Sequence, residues 1–480
     1  MNNINININI DKINITKKKV LFLGYGAVGK GVWNYFKDYF DYDRKKIYLV
    51  DKNPDTFTGP NLEKVKKIVM AVDSMNFENL LLKIGLKKHD IIIDLSTSTP
   101  TYFFINKCFE KELYYINTSI EDDDDKMLGR SIDCQQKMIG SIAKEFPNAT
   151  SAIVTECGQN PGLIQHYVKY ALHKLGNNQK GKSDYRKSTL TKVIDDYKIG
   201  TILMSEIDMM KKRKTFVDKK EPIIYNTWSA NGYLYEALDC VELVRGKENN
   251  YLQPVIKESQ LNKVAMNVQN DKKSEIIFLS SNGLHTTINS ICPILENDNI
   301  IFRNFRGKMI HHGEIFEMAR YFGEKAPFMS YVYQTNSYVD ESIDNFYKLF
   351  PNSTVDDLFL YLNQDNTFHI FNGKDVSGYD SIGCTIFCGE KSIEQIYWCG
   401  SILSTTDDNV KQEYTPTIVQ VVAGVLSGLS FVLENKLKGW IEPSDMDTPY
   451  ILKKSKPLLG KLSFLEIPVS EFKGPFSIKE

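Results

Sequence analysis

The feature that most constrains the fold is the glycine-rich stretch GYGAVG at residues 24–29, which directly follows the apolar run VLFL. A helix-compatible segment comes next, and the following apolar run, IYLVD, ends in Asp51. A strand, this glycine spacing, a helix and an acid after the second strand together form the fingerprint of a dinucleotide-binding βαβ unit. The alternative is a tight glycine turn in another kind of α/β protein.

Each glycine of this fingerprint, and the acid after the second strand, has its own predicted task. Gly24 permits the tight turn, Gly26 lets a pyrophosphate approach the backbone, and Gly29 lets the helix pack on the strand. Asp51 can accept hydrogen bonds from an adenosine ribose and would repel a 2′-phosphate, which favours NAD over NADP. The predicted cofactor-binding residues are Gly24, Gly26, Ala27, Val28, Gly29, Asp51, Ser96, Thr97 and Thr118.

Alternation of strand-like and helix-like segments continues to about residue 160. Predicted strands lie within 89–100, 111–120 and 151–158, and predicted helices span 101–110 and 132–144. This order predicts a Rossmann-type doubly wound parallel sheet. Beyond a polar stretch at 173–192, interpreted as a surface loop, the chain is richer in strands such as DKKSEIIFLSSN and GCTIFCG. We therefore expect a second, α+β domain that binds the substrate.

The predicted organisation has four parts. Residues 1–16, which alternate Asn and Ile, form a low-complexity tail, and residues 17–160 form the dinucleotide-binding domain. Residues 161–404 form the substrate domain, and residues 405–480 pack back on the first domain. The uncharged run at 418–433 is short for a membrane span and contains polar residues, so it is expected to lie in a buried helix over 417–434.

Composition excludes several kinds of function. The net charge of −1 argues against a nucleic-acid binder, and the basic run at 211–214 is expected to be solvated. The eight cysteines are scattered without a C-x-x-C pair, so we expect no metal site and reduced thiols in the cytoplasm. No membrane association is expected either.

Four segments together resemble the homospermidine synthase family, within the wider saccharopine dehydrogenase-like group. They are TECGQNPGLIQHYVKYAL (155–172), NTWSANGYLYEAL (226–238), MIHHGEIFEMARYF (309–322) and GYDSIGCTIFCG (378–389). The resemblance extends over nearly the whole chain after the tail. One departure is Cys157, where the family usually has a histidine, and this puts the polarity near the nicotinamide in doubt. The acidic run at 121–126 and the basic run at 211–220 also look local to this chain.

The resemblance implies a transferase that uses NAD as a recycled redox cofactor. In that family NAD oxidises an amine of putrescine to an imine, a second amine displaces ammonia, and the same NADH reduces the new imine to homospermidine. The implied partners are small diamines, putrescine and possibly spermidine, and the implied assembly is a homodimer.

The site residues follow from the matched segments and from the chemistry of a diamine. An indole face and a carboxylate suit an organic cation, which assigns Trp228 and Glu236 to substrate binding. His312 is expected to move protons, because imidazole titrates nearest neutrality, with His311 as the alternative and Glu314 as its orienting group. Asn160 either contacts the reacting centre or caps a helix. The predicted catalytic residues are Glu206, Trp228, Glu236, His312, Asp380, Asn160 and Glu121.

Two other functions remain open at this stage. A carboxynorspermidine- or saccharopine-type dehydrogenase would need an arginine clamp for the carboxylate of its substrate, and Arg303, Arg306 and Arg320 lie close to the histidine segment. A catalytically silent NAD-binding protein is the second possibility.

Overall fold

The structure, a computed structural model, describes residues 11–97, 99–121, 131–177, 184–218, 223–246, 252–261, 275–297, 299–362, 364, 367–474 and 476–479. It divides into two compact units. The described residues of the first unit fall within Met1–Asp124, Lys137–Gln159 and Val419–Leu459. Those of the second fall within Asp125–Gln136, Asn160–Ile418 and Gly460–Glu480.

The elements are numbered along the described chain. The strands are β1 Ile13–Asn14, β2 Val20–Leu23, β3 Phe40–Asp41, β4 Ile47–Asp51, β5 Lys66–Val69, β6 Ile91–Asp94, β7 Tyr114–Asn117, β8 Ala152–Val154, β9 Ile199–Asp208, β10 Lys211–Lys212, β11 Ile224–Asn226, β12 Cys240–Arg245, β13 Glu275–Asn282, β14 Thr287–Glu296, β15 Asn299–Ile310, β16 Phe328–Gln334, β17 Phe368–Ile370, β18 Val376–Ser377, β19 Tyr379–Cys388, β20 Gln395–Ser404, β21 Gly439–Ile441 and β22 Lys461–Ile467. The helices are α1 Ala27–Tyr39, α2 Phe77–Ile84, α3 Thr101–Glu110, α4 Ile132–Glu145, α5 Leu163–Asn177, α6 Lys187–Asp196, α7 Ala230–Leu238, α8 Gly313–Phe322, α9 Ser337–Leu349, α10 Val355–Leu362, α11 Pro416–Glu434 and α12 Thr448–Ser455.

The first unit contains a parallel sheet, and the predicted Rossmann-type architecture is confirmed. Across its described strands the order is β21-β8-β7-β6-β2-β4-β5, with every neighbouring pair parallel. All residues of β2, β6 and β7 are buried, as expected for strands whose two faces are both covered by helices.

The strand order places the glycine loop at the switch point of this sheet. β4 lies on one side of β2 and β6 on the other, so the connections leave β2 in opposite directions. In such sheets the crevice beyond the carboxyl ends at the switch point binds ligands. Gly24, Asp51 and the 95–97 segment follow β2, β4 and β6 respectively, at that edge.

The second unit contains a mixed sheet, which confirms the predicted α+β domain. Its main path, within the described chain, runs β13-β12-β16-β9-β19-β20-β22, and β15 joins β14 to β16. β16 and β9 are parallel, whereas β9 and β19 and most other neighbours are antiparallel. Trp398 and Ile402 of β20 and Val332 of β16 are among the fully buried residues of its core.

Two local expectations are wrong. The polar stretch 173–192 was expected to be a loop, but α5 extends to Asn177 and α6 begins at Lys187. Leu190, Val193 and Ile194 form a buried stripe at helical spacing, and this apolar face outweighs the polar average. The chain is also ordered within the predicted tail, because Ile13–Asn14 pair with β3. Residues 1–10 lie outside the described residues.

The C-terminal segment is divided between the two units. Residues 419–459 belong to the first, where β21 extends the parallel sheet beside β8. The end of the chain, 460–480, belongs to the second, where β22 pairs antiparallel with β20. α11 is long and apolar enough to cross a membrane, with a mean hydropathy of 1.8, but 94% of that window is buried within the protein. It therefore has the character of a buried core helix.

A glycine on α11 tests this packing. A Cβ at Gly424 would lie 1.9 Å from the carbonyl oxygen of Gly158. Gly424→Ala should destabilise the protein by about 1–3 kcal/mol through overpacking, although alanine is favoured in an exposed helix by about 1 kcal/mol. Thermal unfolding measures the effect. Ser430→Ala is the matched control, because its hydroxyl bonds to Leu426 of the same helix. An unchanged midpoint for Gly424→Ala would contradict this packing.

Candidate functional site

The glycine loop has the geometry that a dinucleotide requires. Gly24 has φ of +79°, and a Cβ there would lie 2.6 Å from the carbonyl oxygen of Leu95. A Cβ on Gly29 would lie 2.4 Å from the carbonyl oxygen of Gly24, so glycine allows the helix to approach the loop. Gly26, the exposed residue before α1, has nothing within 4 Å of its Cβ position. A pyrophosphate therefore fits against the N-terminus of α1.

The other predicted cofactor residues lie beside this loop or at the same sheet edge. Asp51 accepts hydrogen bonds from the backbone N–H of Tyr25 at 2.7 Å and of Asn53 at 2.9 Å. Ser96 is held by Asp94, which accepts from its backbone N–H at 3.1 Å and from its hydroxyl. The remaining members are Ala27 and Val28 in the first turn of α1, the exposed Thr97 and the half-buried Thr118.

In the second unit, three carboxylates share one face of the mixed sheet. Asp380 on β19 pairs directly with Asp208 on β9, and Glu206 stands two residues before Asp208. Because side chains alternate along a strand, all three point to the same side. Their exposed fractions are 3% for Glu206, 5% for Asp208 and 0% for Asp380. Three buried acids this close require an explanation.

Few groups compensate these charges. Oε2 of Glu206 accepts from the Tyr331 hydroxyl at 2.6 Å and from the Asn160 amide at 3.1 Å, whereas Oε1 has no partner within the described chain. Asp208 accepts from the Thr227 hydroxyl at 2.6 Å and from a backbone N–H. Neither oxygen of Asp380 forms a hydrogen bond in the described chain, although the Thr417 hydroxyl and the backbone N–H of Ser381 oppose the rise in its pKa.

The protonation of this cluster follows from its burial. Burial raises the pKa of Glu206 to about 7, and the neighbouring Asp208 adds to the rise while Tyr331 opposes it. Burial likewise raises the pKa of Asp208 to about 6. The pKa of Asp380 lies well above its usual range because of burial, followed by repulsion from Glu206 and Asp208. At neutral pH the cluster is therefore partly protonated, and a bound cation would ionise it.

The two adjacent histidines differ sharply. Burial lowers the pKa of His312, but Glu314 and Glu236 outweigh that effect and hold it well above the usual range. Nε2 of His312 lies 3.1 Å from Glu236, Nδ1 lies 3.3 Å from Glu314, and the ring stacks on Tyr331 at 4.0 Å. This histidine is thus an imidazolium at neutral pH.

His311 has a different environment. Its pKa is lowered by burial, and its Nδ1 lies 4.0 Å from Glu242. His312 was expected to titrate near neutrality, but the group whose pKa lies near 7 is Glu206. The reason is that His312 is flanked by two carboxylates brought from α7 and α8, an arrangement that the sequence does not display.

Trp228 is anchored next to the acid cluster. Its indole N–H donates to the Tyr333 hydroxyl at 3.1 Å, and Tyr333 is the register partner of Glu206 across β16 and β9. The ring remains half-buried. Ser229 caps α7 by accepting from the backbone N–H of Gly232, and this helix carries Glu236 to His312. One short segment therefore supplies both an aromatic face and an acid.

Asn160 and Glu121 complete the predicted set. The amide of Asn160 donates to Glu206 and to Tyr331, so it supports the acid cluster rather than capping α5, which begins at Leu163. Glu121 lies in the first unit, where its carboxylate accepts from the Ser119 hydroxyl at 2.8 Å. The acidic residues 122–125, predicted to form a solvated loop, lie outside the described residues.

Sequence reasoning missed three members of this cluster, namely Asp208, Tyr331 and Tyr333. The period-2 alternation in SEID and in SYVYQ is the signal that could have found them. Cys157, the departure from the family pattern, is a packing residue. A Cβ at Gly428 of α11 would lie 2.3 Å from its sulfur, so the thiol occupies a narrow space in the first unit.

Comparison with known proteins agrees with both units. Residues 20–152 match the family model of the saccharopine dehydrogenase NADP binding domain. The homospermidine synthase of Mesorhizobium japonicum is 22% identical over 92% of this chain and 88% of its own. That of Blastochloris viridis is 23% identical over 92% of this chain and 89% of its own. The crystal structure of the Legionella pneumophila homospermidine synthase in complex with NAD superposes with a TM-score of 0.77, at 20% identity, covering 95% and 92% of the two chains.

The fold, the glycine loop and the matched residues 20–152 define a dinucleotide-binding domain that is similar to that of saccharopine dehydrogenase. The predicted resemblance to the homospermidine synthases is confirmed over nearly the whole chain.

The raised pKa of Glu206 predicts a pH-dependent effect on stability. A carboxyl whose folded pKa is raised contributes stability below its unfolded value of 4.5, and this contribution is lost as pH rises through about 7. In protein without ligands, Glu206→Gln should therefore increase the free energy of unfolding at pH 8 by roughly 2–3 kcal/mol. The gain should disappear at pH 5. Denaturant titrations at both values measure it, and an equal change at the two pH values would contradict the assignment.

Proposed function

We propose that this protein is a homospermidine synthase that uses NAD as a recycled cofactor. Two putrescine molecules would yield one homospermidine and one ammonia, without net oxidation. Similarity to two homospermidine synthases over 92% of the chain supports this proposal, as does a fold shared with a third that binds NAD. Putrescine as substrate, a homodimer and a cytoplasmic location are parts of the same proposal. All eight cysteines are free thiols, which fits a reducing compartment.

The observation that carries the proposal is the buried cluster of Glu206, Asp208 and Asp380. None of the three forms an ion pair with a lysine or arginine among the described residues. Putrescine is a dication at neutral pH, because alkyl amines titrate near 10.4, roughly as lysine does. A diammonium ligand would supply the missing positive charge and draw these carboxylates into their ionised forms. A cluster so undercompensated suits a cationic substrate.

The aromatic residue beside the cluster has a complementary task. An indole face attracts a cation by roughly 1–2 kcal/mol without a charge of its own that must be desolvated. Trp228 is half-buried, and its indole N–H donates to the hydroxyl of Tyr333. Tyr333 lies next to Glu206 in the sheet. It would hold an alkylammonium while the carboxylates hold or deprotonate the other amine.

Among the described residues, Arg303, Arg306 and Arg320 form no clamp for a substrate carboxylate at the acid cluster. The three arginines that could have formed one donate instead to groups outside the acid cluster. Their partners are Met209 for Arg303, Thr287 for Arg306 and Asp133 for Arg320. A substrate carboxylate next to three buried acids would be repelled.

Proton transfer in this proposal is assigned to Glu206. An ammonium must lose a proton before hydride can leave the adjacent carbon, and a base that titrates near neutrality is suited to accept it. When bound, NAD accepts that hydride and later returns it to the new imine. Glu206, with a pKa of about 7, has the matching protonation equilibrium. Asn160 and Tyr331 orient its carboxylate, while His312 remains charged and supplies a positive field.

The cofactor side of the proposal rests on the first unit. Gly24 and Gly26 would hold the pyrophosphate, and Asp51 would bind the adenosine ribose. The matched domain is described as NADP-binding, but a carboxylate at this strand end would repel a 2′-phosphate. We therefore assign NAD, as in the Legionella pneumophila relative.

A product assay tests the function directly. The purified protein incubated with putrescine and NAD should form homospermidine and ammonia in equal amounts, detected by mass spectrometry and an ammonia assay. NADH should not accumulate, because the same cofactor molecule is oxidised again. Stoichiometric NADH release would indicate a dehydrogenase, and NAD binding without any product would indicate a silent NAD-binding protein.

Trp228 provides a test of substrate binding. Trp228→Ala should raise the KM for putrescine by roughly 5–30-fold, since a cation–π contact contributes about 1–2 kcal/mol. The Kd for NAD should stay unchanged. Trp228→Phe, which keeps an aromatic face but loses the N–H to Tyr333, should give an intermediate KM. Wild-type kinetics in the alanine variant would exclude Trp228 from the substrate site.

A further inference from the structure

Tyr331 contacts two groups of opposite charge, the Glu206 carboxylate and the His312 imidazolium. It is 1% exposed and lies on β16, which runs parallel to β9. Its hydroxyl donates to Oε2 of Glu206 at 2.6 Å and accepts from the Asn160 amide. Its ring stacks on the imidazole of His312 at a centroid distance of 4.0 Å and an interplanar angle of 24°. The buried side chain of Tyr331 therefore contacts both the Glu206 carboxylate and the His312 imidazolium.

We infer that Tyr331 is a positioning residue: its hydroxyl holds the Glu206 carboxylate in its ionised, reactive form, and its ring fixes the His312 imidazolium. This inference rests on the proposed function for its catalytic meaning. The geometry itself does not depend on the identity of the substrate. A hydroxyl that donates to a carboxylate stabilises the ionised form, and an aromatic face attracts a cation.

Because of the groups around Glu206, the Tyr331 hydroxyl has a strong effect on whether Glu206 is ionised. Repulsion from Asp208 on the same strand favours protonated Glu206, whereas His312 favours the ionised form, and Glu206 in turn raises the pKa of Asp380 on β19. Direct hydrogen-bond donors to Glu206 in the described chain are limited to Tyr331 and Asn160. The groups that face Glu206 are Asp208 on β9, Asp380 on β19, Tyr331 and Tyr333 on β16, His312 before α8 and Asn160 before α5.

Tyr333 offers a matched control within the same strand. It stands two residues from Tyr331 on the same face and is 2% exposed. Its hydroxyl accepts from the indole N–H of Trp228 and forms no described hydrogen bond to Glu206. Phe at either position removes one buried hydroxyl and keeps the ring, so the two variants differ in whether the lost hydroxyl bonded to Glu206.

The experiment first uses protein without substrate or NAD. Thermal unfolding midpoints are measured from pH 5 to pH 9 for the wild type, Tyr331→Phe, Tyr333→Phe and Glu206→Gln. At each pH, the contribution of Glu206 to the midpoint is measured relative to Glu206→Gln. In Tyr331→Phe, the pH at which half of this contribution is lost should be higher than in the wild type by on the order of one pH unit. It should stay in place in Tyr333→Phe. The double variant Glu206→Gln/Tyr331→Phe should lack the shifted transition.

Turnover provides a second measurement. In Tyr331→Phe, kcat/KM for putrescine should fall about fivefold at pH 7 and recover towards the wild-type value above pH 8, because a smaller fraction of Glu206 is ionised at neutrality. A pH-independent loss would indicate a purely structural role.

The proposed function and the inference about Tyr331 can each be wrong without the other. If the wild type forms no homospermidine, the function is wrong, but the unfolding data still decide the role of Tyr331. If the Glu206 transition of Tyr331→Phe coincides with that of the wild type, or moves no more than that of Tyr333→Phe, the inference about Tyr331 is wrong.

Discussion

The second unit depends on one constraint. Three carboxylates on one face of its sheet are removed from water. Glu206, Asp208 and Asp380 are brought together by backbone pairing of β9 with β19, which fixes the face that they share. Burying unpaired charges is costly, so the groups remain partly protonated until a cation arrives. Tyr331, Asn160 and Thr227 provide enough hydrogen bonds to order the cluster but not enough to neutralise it. Stability is thereby sacrificed at the candidate site.

The first unit could be predicted almost entirely from the sequence, because its signals are local. The glycine spacing, the apolar strands and Asp51 each depend on residues close in the chain, and α3 begins and ends where its pattern indicates. In the second unit, α6 was missed because three buried residues, Leu190, Val193 and Ile194, were outnumbered by polar neighbours. Local patterning failed there because a narrow apolar stripe controls the packing of this helix.

Family resemblance predicts Glu206, Trp228, Glu236, His312 and Asp380 as site residues, yet it could not show which strands pair. The membership of Asp208 depends on the register of two distant strands, and the charge of His312 depends on acids from two helices. The protonation state of a side chain depends on the residues that the fold places around it. An unperturbed imidazole value therefore led to His312 as the proton-transfer group, where burial makes Glu206 the better candidate.

The contact between Cys157 and α11 makes two positions far apart in the chain interdependent. The thiol rests where Gly428 lacks a side chain, and a single methyl at that glycine would overlap the sulfur. A bulkier group at 157 has no room while the helix keeps its present path. The effect of a substitution at position 157 therefore depends on the residue at position 428, and the reverse also holds. Both residues must change together, or the whole helix must shift.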